Sequence, residues 1–136
     1  MIEPFKIIRT YVPADLTTAT KWPMSEKLIV EMCPSLSIII SLLRKSDPIG
    51  RVGKYIGVYE IGFGLEGFVP MRLSHPTLGQ GNQSEETPSI SFATYVSGQI
   101  SDDLIGEFIE VLASHHPWEH PVIEITPIQL WMPSDS

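Results

Sequence analysis

Cysteine is nearly absent from this sequence. Cys33 is the single thiol in 136 residues, which excludes an intrachain disulfide and a cysteine-built zinc site. A lone thiol agrees with a reducing compartment. Long apolar runs are missing too: the longest, Leu36 to Leu43, is far too short to cross a bilayer. No basic stretch followed by an apolar one opens the chain, so the sequence points to a cytoplasmic protein without a secretory signal or membrane partner. Basic residues are scarce and stop at Arg72. Residues 1–72 hold nine basic and seven acidic side chains, whereas residues 73–136 hold nine acidic and none basic. A half-chain without Lys or Arg is poorly made to grip phosphate backbones, which argues against nucleic acid. A cation or a basic surface suits it better, and plain solubility would also account for it.

What is present is a globular composition, with 43% hydrophobic and 18% charged residues in a length that suits one domain. Phe5 to Val12 is rich in β-formers and stops at Pro13, so it reads as a strand. Residues 14–26 are polar and Thr-rich, and read as a connecting excursion. Lys27 to Met32 reads as a second strand. Ser35 is a plausible N-cap for a helix presenting Leu36, Ile39, Ile40 and Leu43 on one face. The glycine-punctuated stretch 50–72 reads as two strands joined by a turn near Gly62 to Gly67. Residues 73–88 form a long polar loop, of a length that is usually functional or disordered. Ile90 to Val96 is the next strand. Ser101 opens a second helix with Leu104, Ile105, Phe108, Val111 and Leu112 on its apolar face, ended by Pro117, and Val122 to Ile128 is the last strand.

These elements predict an α+β, ferredoxin-like antiparallel sheet with two helices on one face and an added N-terminal strand. Residues 1–26 would be that strand and its extension, and residues 27–136 the domain proper, one domain overall. The other face and the edges of such a sheet are commonly covered by oligomerisation.

The densest polar cluster is Ser114-His115-His116-Pro117-Trp118-Glu119-His120-Pro121, between the second helix and the last strand. Imidazole and carboxylate together bind divalent transition metals or move protons near neutral pH. Two prolines stiffen the segment. The plain alternative is a rigid corner whose histidines cap helix carbonyls or face solvent. His75 lies in the polar loop and could close over the corner, while Tyr55, Tyr59, Phe63 and Phe68 could line an apolar pocket or simply pack. The glycines between 50 and 67 form no dinucleotide fingerprint.

The segment His116-Pro117-Trp118-Glu119-His120-Pro121 resembles the HPYEEP corner of the PII-like domain inserted in the Nif-three-like family, and the HPYE-x-P segment of CutA-type divalent-cation tolerance proteins. Gly50-Arg51-Val52-Gly53-Lys54-Tyr55, then Gly64-Leu65-Glu66-Gly67-Phe68-Val69-Pro70, then Pro76 and Gly79 follow the Nif-three-like order of motifs. KLIVEMCP would match that family's first strand and helix, so the resemblance covers about residues 27–128. His120 departs from it by standing where the family has a second glutamate. The dinuclear metal site of the larger members belongs to another domain, so their cyclohydrolase-type chemistry does not come with the resemblance.

The resemblance implies a homo-oligomer, a trimer or dimer, that binds a small molecule or divalent metal ion. Its metal ligands would be His116, Glu119 and His120, and its ligand-binding residues His75, Tyr55, Phe68 and Trp118. The competing reading is a small-metabolite enzyme, an isomerase, cyclase, dehydratase or lyase, in which His116, Glu119 and His120 do acid–base catalysis.

Overall fold

The computed structural model describes residues 1–14, 25–71, 81 and 83–134. The chain runs β1 (Ile2–Pro13), α1 (Glu26–Met32), α2 (Ser35–Arg44), β2 (Tyr59–Phe68), β3 (Glu85–Ser97), α3 (Asp102–Ser114) and β4 (Ile123–Trp131). The four strands form one antiparallel sheet in the order β2-β3-β1-β4. This is the ferredoxin-like α+β arrangement expected from the sequence. Several of its details differ.

The N-terminal strand is no addition. β1 lies inside the sheet, pairing with β3 along one side and β4 along the other. It is the fold's first strand, the place that Lys27 to Met32 was expected to take. Those residues are helical instead. The Ser25 side chain accepts from the Leu28 amide, Glu26 sits in the first turn, and Ile29, Met32 and Cys33 fall on one buried face at helical spacing. The apolar face continues into α2, so the crossover from β1 to β2 carries two consecutive helices. Pro34, rather than Ser35, occupies the cap of α2 and makes no side-chain capping bond.

The third difference is at the glycines. β2 runs unbroken through Gly62, Gly64 and Gly67. The turns lie earlier, where Gly50, Gly53 and Gly57 take positive φ and Val52 bridges Tyr55. Gly62 serves close packing: a Cβ there would sit 2.6 Å from Ser91 Oγ on β3. β3 begins at Glu85, inside the expected polar loop, and residues 72–80 and 82 lie outside the described residues.

One face of the sheet carries the core. Ile8 and Val12 of β1 and Ile90, Phe92 and Val96 of β3 alternate toward the helices and meet Leu36, Ile39, Ile40 and Leu43 of α2 and Ile105, Phe108 and Leu112 of α3. Phe92 stacks on Tyr59 with ring centroids 5.6 Å apart. Of the expected apolar face of α3, Leu104 and Val111 remain exposed. The opposite sheet face has no helix on it among the described elements. No helix among the described residues is long and apolar enough to cross a membrane.

Candidate functional site

α3 ends at Ser114, and the chain turns through residues 115–122 into β4. This corner stands where the C-terminal ends of β1 and β2 meet the N-terminal end of β4. Two bonds fasten it to β1. Thr10 Oγ1 donates to the Val122 carbonyl at 2.9 Å, and His116 Nε2 lies 2.8 Å from the Tyr11 carbonyl.

The second bond fixes the state of His116. A carbonyl only accepts, so Nε2 carries the proton. The Trp118 backbone N–H donates to Nδ1 at 3.1 Å, so Nδ1 is unprotonated. Both ring nitrogens are therefore committed in the neutral imidazole, which is only 8% exposed. Burial pushes its pKa below the ordinary histidine value, opposed in part by the bond to the Tyr11 backbone. His116 is a brace that ties the corner to β1. It has no nitrogen left for a metal ion or for proton transfer in this arrangement, which departs from the role its sequence context suggested.

The other corner residues differ in exposure. His115 and His120 are exposed, as is Glu119. Trp118 lies half-buried, its indole N–H donating to Glu66 Oε1 at 3.2 Å and its ring meeting Phe68 edge-on at 5.3 Å. Phe68 and Trp118 are thus brought into contact. Tyr55 is not: it is 75% exposed on the turn before β2, at the opposite end of that strand from Phe68. His75 lies outside the described residues. No group of three His, Cys, Asp or Glu side chains suited to a metal ion occurs among the described residues. Trp118→Phe, which keeps the ring contact and removes the donor, is expected to cost about 1 kcal/mol in chemical denaturation.

Sequence reasoning passed over a second polar constellation, on the open sheet face. Arg9 Nη1 approaches Glu124 Oε2 at 3.9 Å, and the Tyr11 hydroxyl donates to the other Glu124 oxygen at 2.9 Å. Tyr95 donates to Glu60 Oε2 at 2.9 Å. Both phenols have raised pKa values, first because they hydrogen-bond to a carboxylate and then through burial. The signal was available: strand alternation puts Arg9 and Tyr11 on one face of FKIIRTYV and Ile8, Thr10 and Val12 on the other.

No family model matches the chain, and no curated protein matches it in sequence. Solved structures do share its fold. A Bacillus cereus protein related to NIF3 superposes with a TM-score of 0.61 at 17% identity, over 94% of this chain and 26% of that one. The chain therefore spans about a quarter of that protein. The periplasmic divalent cation tolerance protein CutA from Archaeoglobus fulgidus gives 0.54 at 11% identity, over 91% of this chain and 83% of its own. The divalent ion tolerance protein CutA1 from Ehrlichia chaffeensis gives 0.54 at 11%, over 98% and 87%. The chain has the ferredoxin-like, CutA-like fold that these proteins share with a segment of the NIF3-related protein.

Proposed function

We propose that this chain is a binding module rather than a catalyst, and that it holds a small ligand, best a divalent cation, at the 115–121 corner where copies of the chain meet. The observation that carries this reading is the commitment of both His116 nitrogens. An acid–base enzyme built on His116 would have to break the brace to use it. Beside the brace, Glu119 and His120 stand exposed on a proline-stiffened turn, a carboxylate oxygen and an imidazole nitrogen of the kind that Zn²⁺ and Cu²⁺ prefer. They make only part of a donor set, so the remaining donors would come from His75 or from a second copy. The solved relatives named for divalent-cation tolerance support the choice of cation. A reducing, cytoplasmic setting suits the single buried thiol of Cys33.

Assembly is supported by the sheet edges. β2 and β4 are both edge strands, and they carry or adjoin exposed apolar side chains, with Leu65 64% and Trp131 73% exposed. Unpaired edges of this kind readily take another strand or surface.

Calorimetric titration with Zn²⁺ and Cu²⁺, paired with light scattering for mass, tests the reading. The expected result is an oligomer that binds at most one tight ion per chain, weakened on the order of tenfold or more by His120→Ala or by Glu119→Gln. Flat isotherms for both ions, or affinities indifferent to both substitutions, would overturn it.

A further inference from the structure

The open sheet face holds a groove of about 230 Å³, walled by Arg9 and Tyr11 on one side and Glu60 on the other, and floored by Gly62, Ser91 and Ala93. We infer that this groove is a binding site for a small zwitterion of the α-amino-acid class, with the ligand carboxylate on Arg9 and its ammonium on Glu60.

Sheet register sets the spacing. Glu60 pairs with Ala93, and Ala93 pairs with Arg9, so the two charges stand on alternate strands with only a methyl group between them. Strands about 4.8 Å apart put their backbones about 10 Å from each other, a gap that two long side chains and a small ligand fill together. In the next row Gly62 pairs with Ser91 and Ser91 with Tyr11, which keeps the floor low and lines it with hydroxyls. A side chain at Gly62 would collide with Ser91 Oγ.

Charge decides the class of ligand. Glu60 accepts from the Tyr95 hydroxyl, and no cation lies within ion-pair distance of it among the described residues. Arg9 has five N–H donors, and its ion pair with Glu124 is a long one at 3.9 Å, with Tyr11 sharing that carboxylate. A free phosphate would be repelled by Glu60, and a bare metal ion by Arg9. A molecule with both charges satisfies both walls.

Calorimetry with glycine, L-alanine and L-glutamine, against propionate and ethylamine as single-charge controls, tests the site on the full chain. The expected result is saturable binding of at least one amino acid at millimolar concentration or below, with both controls weaker. Arg9→Gln and Glu60→Gln would each weaken it on the order of tenfold or more. The exchange Arg9→Glu with Glu60→Arg would recover part of the loss. Should a variant fold poorly, amide shifts of Gly62, Ser91 and Ala93 on adding the amino acid to the unaltered protein answer the same question. His120→Ala should leave this binding intact, which separates the groove from the corner. Absence of binding by all three amino acids, equal binding of propionate, or shifts confined to other residues would overturn the assignment.

Discussion

His116→Ala is expected to destabilise the protein by about 4 kcal/mol in chemical denaturation. The substitution leaves two backbone groups, the Tyr11 carbonyl and the Trp118 amide, without their partners in a nearly dry setting, at about 1–3 kcal/mol each, and it opens a ring-sized void. His116→Gln, which keeps a donor and an acceptor on one side chain, should recover part of that loss. The unaltered protein should show the same dependence through pH. Burial holds the folded-state pKa of His116 below its unfolded value near 6.5. Below that value the unfolded chain takes up a proton that the folded one resists, so the unfolded state binds more protons and stability decreases as the pH is lowered. The contribution is complete above about pH 6.5 and is lost as pH drops through the lower folded-state pKa. In His116→Ala this component of the acid sensitivity should disappear, so a denaturation series from neutral to mildly acidic pH checks the sign directly.

Gly50→Val is the second large effect, expected to cost about 3 kcal/mol or more. Gly50 has φ +82°, a left-handed conformation that a β-branched residue adopts only under strain. Space is closed as well, because a Cβ there would sit 2.8 Å from Leu43 Cδ1 and 3.2 Å from Thr94 Oγ1. The residue is also a junction: its N–H donates to the Tyr95 carbonyl, and its own carbonyl accepts from Val58. Those bonds join the end of the α2 connection to β3 just before β2 begins. Thermal denaturation should show the loss, and Gly53→Val, on the exposed tip of the same turn, should show only the backbone component of it.

The sheet was legible where alternation is strong. Ile8, Thr10 and Val12 in β1, and Ile90, Phe92, Thr94 and Val96 in β3, are buried on the helix side in the order that a two-residue period requires. α2 and α3 were legible from three- and four-residue spacing, and the Ser101 cap of α3 is real. KLIVEM misled because six residues without a glycine or proline are too few to separate a strand from two helical turns. Tertiary packing decided it, through Ile29 and Met32. The glycines of β2 misled for the opposite reason. Glycine usually marks a turn, but Gly62 marks a place where the Ser91 side chain occupies the room of a Cβ.

At the corner, the sequence marks a polar segment but could not assign its roles. His116 looked like a ligand because it stands among other polar residues. Its partners, a carbonyl in β1 and an amide two residues on, are backbone groups that leave no trace in composition. The groove on the open face was missed because its charges come from Arg9 and Glu60, on strands separated by 51 positions of sequence. Only the register brings them into one row.

The most direct test of the brace is the state of the His116 ring, read by ¹⁵N-detected long-range correlation across a pH series. The expected result is a neutral ring with its proton on Nε2, titrating below the ordinary histidine value and unmoved by Zn²⁺ while the His120 signals shift. A ring protonated on Nδ1, titrating at or above the ordinary histidine range or broadened first by the metal, would contradict it and return His116 to the chemistry of the corner.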